Sequence, residues 1–352
     1  MSPEPEVTPQ ICAVATAVPQ TRYRQQDLGE AFAAGNAKIR RLYENSHIQF
    51  RHLILPEPLG TRQESVAELR TKHHDGALSM GVEAATNALA SAGIQGSDVA
   101  MIVCVTTTGL LCPALSALLA RRLDLPRSVR RLDIVGMGCS AALNALQNAA
   151  AFALANPWRH ALVVAVEVCS AAYVVRDAMD TAVVNSLFGD GCAAVIVVAS
   201  AEAKTTPRPR LIDFESLTLT DQIDGMRFEL FDDRLSFVIR RDVPDVIGAC
   251  CGEPVDTLLE RHGLVRRDIT HWILHAGGRK VIDAARKTLG LSEQDLRHTV
   301  DVLARYGNVS SAACLFALER LLLAGSPERG DYSLLMAMGP GLAIETALLQ
   351  WW

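Results

Sequence analysis

Apolar residues along this chain fall into short dense runs divided by polar turns, and the runs alternate between two lengths. Short runs rich in Ala, Val and Ile, such as 10–18 ending at Pro19, 98–109 with its closing turn, and 161–168, carry few polar positions. That pattern predicts strands covered on both faces. Longer stretches lie between them: a polar, partly helical segment at 25–46, a long helix within 60–92 that stops near Gly93, and a helix from Pro113 to Arg122. Strands alternating with helices predict an α/β protein built on a buried sheet.

The second half repeats the order of the first. Residues 268–278 match the strand and turn that begin at Asp98. Tyr306–Ala313, running into a helix from Cys314 to Leu323, match the turn and helix around Cys139, and Asp331–Met338 match the strand at Ala161. Cys139 and Asn308 follow Asp98 and Asp268 at nearly equal separations. Three matches in one order predict two halves of one topology related by a pseudo-twofold axis. The expected halves are 1–205 and 206–352, divided within Lys204–Arg210, whose two prolines and basic residues suit a surface crossover.

The chemistry centres on Leu132–Leu146, an apolar run that predicts a buried strand, a Gly-Met-Gly turn and an Ala/Leu-rich helix whose first turn holds Cys139. Free N–H groups and the positive dipole end at a helix start favour a thiolate, the nucleophilic form of cysteine. A lone cysteine in a chain of this size is more often plain core, but the repeat brings Asn308 opposite it and His275 to the end of a neighbouring strand. Cys, His and Asn from three strand ends make a coherent set. Cys139 is the expected nucleophile, His275 an ion-pair partner for its thiolate, and the His275 N–H and Asn308 amide the donors to a developing oxyanion.

Composition narrows the surroundings. At 352 residues the chain holds two core-forming units of ~150 residues each. With 49% hydrophobic and only 5% aromatic residues, the core must be built from Ala, Val, Leu and Ile. Lys and Arg number 34 against 39 Asp and Glu, a net charge of −5 that argues against nucleic acid or an anionic membrane as main partner. The nine cysteines include no CxxC pair, and His271 and His275 have no partner Cys at zinc-finger spacing. A reducing, cytoplasmic compartment and no metal are expected. The acidic Ser2–Glu6 is no signal peptide, and Glu167 keeps the longest apolar run below the ~18 residues of a membrane span.

Gly136–Ser140, Ile273–Gly278 and Tyr306–Ala312, with Leu187–Gly191 and Met338–Gly341, resemble the catalytic segments of type III polyketide synthases, the chalcone synthase-like family on the thiolase fold. The resemblance runs from about residue 10 to 350. It implies two pseudo-symmetric halves in α-β-α-β-α layers and a homodimer. The implied reaction is iterative decarboxylative condensation of malonyl-CoA, with an acyl-CoA starter in some members and no cofactor. By the same resemblance Cys139 carries the growing chain, and neutral His275 and Asn308 stabilise the enolate. Phe188 and Phe237 match two gatekeeper phenylalanines. Lys38 and Arg41 align with basic residues that meet the coenzyme A phosphates, where this chain has Asn45 in place of a third. Thr107, Cys169, Ala172 and Ser310 fall at substrate-pocket positions. Cys112 falls where the plant enzyme has a methionine crossing the dimer interface. Cys169 and Ala172 replace plant threonines, so an aromatic starter and a chalcone product are not expected.

Within the family, Glu64–His74, Arg131–Cys139, Cys169–Tyr173 and Thr181–Phe188 look most like the bacterial group that makes 3,5-dihydroxyphenylacetyl-CoA from malonyl-CoA alone, a precursor in glycopeptide antibiotics. Naphthalene tetrol, alkylresorcinol and pyrone synthases are the alternatives within the family. A ketoacyl-carrier-protein synthase III would share Cys, His and Asn, but its histidine sits in His-Gln-Ala-Asn rather than His275-Ala276-Gly277-Gly278. An HMG-CoA synthase would need a catalytic glutamate, for which Glu167 is the nearest candidate, and a silent scaffold homologue would not need all three catalytic residue types.

Overall fold

The computed structural model describes residues 7–33, 35–60, 64–173, 179–201, 207–231 and 234–352. The acidic segment Ser2–Glu6, residues 61–63 of the expected long helix and the junction expected at 205/206 lie outside these. The first half runs β1 (Thr8–Ala17), β2 (Arg22–Arg24), α1 (Gln25–Phe32), α2 (Ala37–Glu44), β3 (Phe50–His52), α3 (Val66–Ala92), β4 (Val99–Val105), α4 (Leu115–Arg122), β5 (Arg130–Ile134), α5 (Ala141–Ala155), β6 (His160–Glu167), α6 (Met179–Leu187) and β7 (Gly191–Ser200). The second runs β8 (Pro209–Thr218), β9 (Met226–Phe231), β10 (Arg234–Ile239), α7 (Val243–Cys250), α8 (Gly252–Arg261), β11 (Ile269–Leu274), α9 (Arg279–Leu289), α10 (Arg297–Tyr306), α11 (Ala313–Ala324), β12 (Tyr332–Gly339) and β13 (Ala343–Trp351).

Local signals set the long helix. Ser65 and Glu68 form a reciprocal capping box at the start of α3, and Gly93, at φ +71°, closes it in the left-handed conformation. Small residues on its inner face, among them Ala77, Gly81, Ala84 and Ala88, let it lie close on the sheet.

Nine strands form one sheet in the order β11-β12-β13-β8-β1-β7-β6-β4-β5, and the halves meet at β1 and β8 through the pair Gln10 and Arg210. Outward from that seam the pairings mirror one another: β1–β7 and β8–β13 antiparallel, β7–β6 and β13–β12 antiparallel, β6–β4 and β12–β11 parallel. This is the expected internal symmetry. Helices α5 and α11 each touch strands of both halves, while α3 covers the first half outside and α8 the second. Five layers result, as the thiolase-like reading expects. Strand β7 shows why its sequence is apolar throughout: Cys192, Ala194 and Ile196 pack into one core with α3 and α4, and Ala193, Val195, Val197 and Ala199 into the other with α5 and α11.

Two expectations need correction. Leu132–Val135 is not a fully buried strand: β5 is the sheet edge, half-buried, and Val135 is exposed. Asn308 does not arrive from a strand end. Helix α10 stands where the first half has β5, because residues 297–306 bury Thr299, Val302 and Leu303 at helical spacing.

Candidate active site

After β5 the chain turns through Gly136 at φ +84° and Gly138 at φ +61°, conformations that favour glycine. Gly138 is needed for space as well, since a Cβ there would lie 2.0 Å from Cδ of Pro340. The Gly339-Pro340-Gly341 loop therefore packs directly on the nucleophile turn. A 3₁₀ turn, Gly138–Ser140, runs into α5 and holds Cys139 6% exposed, with Sγ 3.3 Å from Ser310 Oγ. Burial pushes the thiol up to about 12; the Ser310 hydrogen bond opposes this and the Glu167 charge adds to it. The resting group is a thiol, because loss of solvent outweighs the helix start that the sequence reading relied on.

His275 follows β11, and its backbone N–H donates to the Met336 carbonyl at 2.8 Å. The ring is buried, its Nδ1 has no hydrogen-bond partner among the described residues, and burial holds it down to about 4, so the imidazole is neutral near pH 7. Burial of both groups thus opposes the Cys139–His275 ion pair expected from the sequence. Asn308 is oriented more tightly. Its Oδ1 accepts the Ser310 N–H at 2.9 Å, which leaves Nδ2 as the donor end, leaning on the Gly277 carbonyl at 3.4 Å. Its backbone is bridged to the residue pair around Phe188: Asn308 N–H donates to Leu187 O at 2.8 Å and Gly189 N–H to Asn308 O at 2.9 Å.

Beneath these residues lies Glu167, fully buried at the end of β6. It accepts from Thr107 N–H at 3.0 Å, Thr107 Oγ1 at 2.9 Å, Thr108 N–H at 3.2 Å, Ser311 Oγ at 2.6 Å and Ser310 Oγ at 3.5 Å. Burial raises its carboxyl pKa, and the donors from Ser311 and Thr107 pull the other way. The network ties β4, β6 and the Asn308 turn into one rigid floor.

Above Cys139 is a pocket of about 30 Å³, lined by Thr107, Cys169, Ala172, Phe188, Phe237 and Ser310 among others. All six were expected at the substrate pocket from sequence. Phe188 and Phe237 meet edge to face at 5.7 Å between ring centroids. Phe228 also lines the pocket and was missed. It is the cross-strand partner of Phe237 in the β9–β10 hairpin, with ring centroids 5.1 Å apart, and a hairpin reading of 226–239 would have found it. Lys38 and Arg41 lie apart from this pocket on the exposed face of α2, which packs on α6. Cys112 is exposed in the loop after β4 and does not line the pocket.

Geometry and similarity agree. Residues 5–201 match the N-terminal domain of chalcone and stilbene synthases, and 218–351 match their C-terminal domain. The chain is 46% identical to the 3,5-dihydroxyphenylacetyl-CoA synthase of Streptomyces toyocaensis, covering 97% of this chain and 90% of the relative. It is 32% identical to the 1,3,6,8-tetrahydroxynaphthalene synthase of Streptomyces peucetius subsp. caesius, covering 97% and 93%. The crystal structure of 1,3,6,8-tetrahydroxynaphthalene synthase from Streptomyces coelicolor A3(2), a bacterial type III polyketide synthase, superposes with a TM-score of 0.90 at 28% identity, covering 97% of this chain and 99% of that one. A thiol, a neutral imidazole and an oriented amide gathered between two mirrored halves, in a chain that matches both domains end to end, make this protein a member of the chalcone and stilbene synthase family, the type III polyketide synthases.

Proposed function

We propose that this enzyme uses malonyl-CoA as both starter and extender and releases 3,5-dihydroxyphenylacetyl-CoA. The observation that carries the chemistry is the run of contacts from Cys139 Sγ through Ser310 to Asn308 and on through Gly277 to a neutral His275, with the Asn308 oxygen tied to the Ser310 N–H so that Nδ2 is the donor end. In loading, Cys139 sulfur attacks the thioester carbonyl while the His275 N–H and the Asn308 amide stabilise the oxyanion, and the thiol proton passes to the coenzyme A sulfur as it leaves. In extension, malonyl-CoA loses carbon dioxide, and the electron pair of the broken C–C bond becomes an enolate. Its oxygen is stabilised by the N–H donors of His275 and Asn308. The enolate carbon then attacks the Cys139 thioester, forming the new C–C bond and expelling the Cys139 thiolate. No metal or organic cofactor enters this scheme.

The higher identity to 3,5-dihydroxyphenylacetyl-CoA synthase than to tetrahydroxynaphthalene synthase supports the product. In this reading Phe188 and Phe237 guard the passage to Cys139, Thr107, Cys169, Ala172 and Ser310 touch the chain, and Lys38 and Arg41 receive the coenzyme A phosphates without a third basic residue at Asn45. Residues 1–205 supply the nucleophile and 206–352 its His and Asn. The enzyme acts in the cytoplasm, in antibiotic biosynthesis, as a homodimer joined near Cys112. Exposed Leu110, Val135 and Met137 around that loop and the unpaired edge of β5 support the interface. Among the described residues no helix is long and apolar enough to cross a membrane.

Mass spectrometry of products from malonyl-CoA alone, beside a panel of acyl-CoA starters, tests the reading. A dihydroxyphenylacetyl thioester or acid from malonyl-CoA alone is expected. A naphthalene tetrol, or product only with an added long-chain starter, overturns the product assignment.

A further inference from the structure

The end of α6 carries Phe188 to the pocket and is bridged to Asn308, yet it has no glycine cap at its last residue, Leu187. The last carbonyls of a helix lack partners inside it and must be met from elsewhere when buried. Here they are met one by one. Fully buried Arg51, from β3, donates through Nη1 to Asn185 O at 2.6 Å and to Phe188 O at 2.8 Å. Gln25 donates to Ser186 O at 2.8 Å, and Asn308 N–H takes Leu187 O. Tyr173 adds its hydroxyl to Phe188 O at 2.6 Å and accepts from Arg51 at 2.8 Å, while Arg51 Nε donates to Gln25 at 2.9 Å.

The stem of Arg51 has a second contact. A Cβ on Gly307 would come within 2.9 Å of Arg51 Cδ and 2.6 Å of Leu187 O, so the aliphatic part of Arg51 lies flat against the residue before Asn308. One side chain thus holds both the strip bearing Phe188 and the turn bearing Asn308. A guanidinium suits the negative end of the helix dipole, and with Nε held by Gln25 its plane is fixed so that Nη1 meets both carbonyls, which an ammonium on a flexible stem does less well.

We propose that Arg51, seconded by Tyr173, is a positioning residue for the reaction: it fixes the Asn308 amide and the Phe188 ring relative to Cys139 by capping α6. The inference rests on the reading of Asn308 as an enolate donor. The test measures decarboxylation of malonyl-CoA per folded molecule, the folded fraction being counted by native circular dichroism, in Arg51→Lys, in Tyr173→Phe, which removes a single hydroxyl and guards against misfolding, and in Asn308→Ala. Turnover per folded molecule should fall roughly tenfold to a hundredfold in Arg51→Lys and less in Tyr173→Phe, with KM for malonyl-CoA little changed, because a small misplacement of a catalytic group is costly. A purely structural role would lower the folded fraction and leave turnover per folded molecule at the wild-type value, and that result overturns the proposal. If Asn308→Ala itself keeps full decarboxylation, the reading of Asn308 fails and takes this inference with it. If Asn308→Ala is inactive while Arg51→Lys and Tyr173→Phe match wild type per folded molecule, only the inference fails.

Discussion

The Cys139 turn and the Asn308 turn hold equivalent places in two mirrored halves, and they pack against each other. They are built oppositely. The Cys139 turn is reached from an edge strand, bends through two left-handed glycines, and gives its sulfur one side-chain hydrogen bond among the described residues, to Ser310. The Asn308 turn is reached from a helix and is tied through backbone bonds to Leu187 and Gly189 and through its side chain to Ser310. A nucleophile must change partners during the reaction, whereas an oxyanion donor works best when fixed beforehand. One topology therefore serves two tasks because the lead-in and the hydrogen-bond supply differ.

The comparison breaks most sharply at the donor. In Asn308→Ala, decarboxylation of malonyl-CoA should fall roughly 10²- to 10³-fold while Cys139 still accepts an acyl group, since only one of the two turns has lost its function. Quenched-flow assay of carbon dioxide release, run beside intact-protein mass spectrometry, separates the two steps. Equal loss of loading and decarboxylation would mean that the turns do not divide the labour.

The neutral His275 gives a pH signature. An unfolded histidine binds its proton near 6.5, the folded one only near 4, because of burial. Between those values the unfolded chain holds the extra proton, so stability rises with pH across that window and is lost as pH falls. The loss attributable to His275 is about 3 kcal/mol at full protonation of the unfolded state. Denaturant titrations at pH 7 and 4 should show a smaller drop for His275→Gln than for wild type. His73, also held down to about 4 by burial, is present in both and cancels.

The smallest effects separate the two glycines of the nucleophile turn. Gly138→Ala meets both a left-handed φ and Pro340, and should cost about 2 kcal/mol or more. Gly136→Ala meets the backbone strain alone, with nothing within 4 Å of its Cβ, and should cost about 1 kcal/mol. Similar values for the two, by thermal melting, would mean that the Pro340 contact yields freely.

Much of this was legible in the chain because it is written locally. β1, β4, β6, β11 and β12 announce themselves as apolar runs, α3 by its length and its stop at Gly93, and Cys139 by its Gly-Met-Gly turn. The repeat placed Asn308 correctly but suggested a strand before it; matched turns do not require matched lead-ins, and the burial spacing of 297–306 is helical. The state of the thiol was misjudged for a different reason. A helix start is visible in sequence, but burial of the surrounding 3₁₀ turn, which outweighs it, depends on Pro340 and Ser310, far along the chain. Arg51 gave no signal at all, since besides Gln25 its partners are the Tyr173 hydroxyl and two main-chain carbonyls, all more than a hundred residues away.

The central claim is that Cys139 carries the acyl chain. Intact-protein mass spectrometry after acid quench of the enzyme with malonyl-CoA, followed by peptide mapping, tests it directly. The account predicts an acyl adduct on the peptide containing Cys139 that disappears, together with all product, in a folded Cys139→Ala variant. An adduct on another residue, or product formation undiminished in Cys139→Ala, would contradict it.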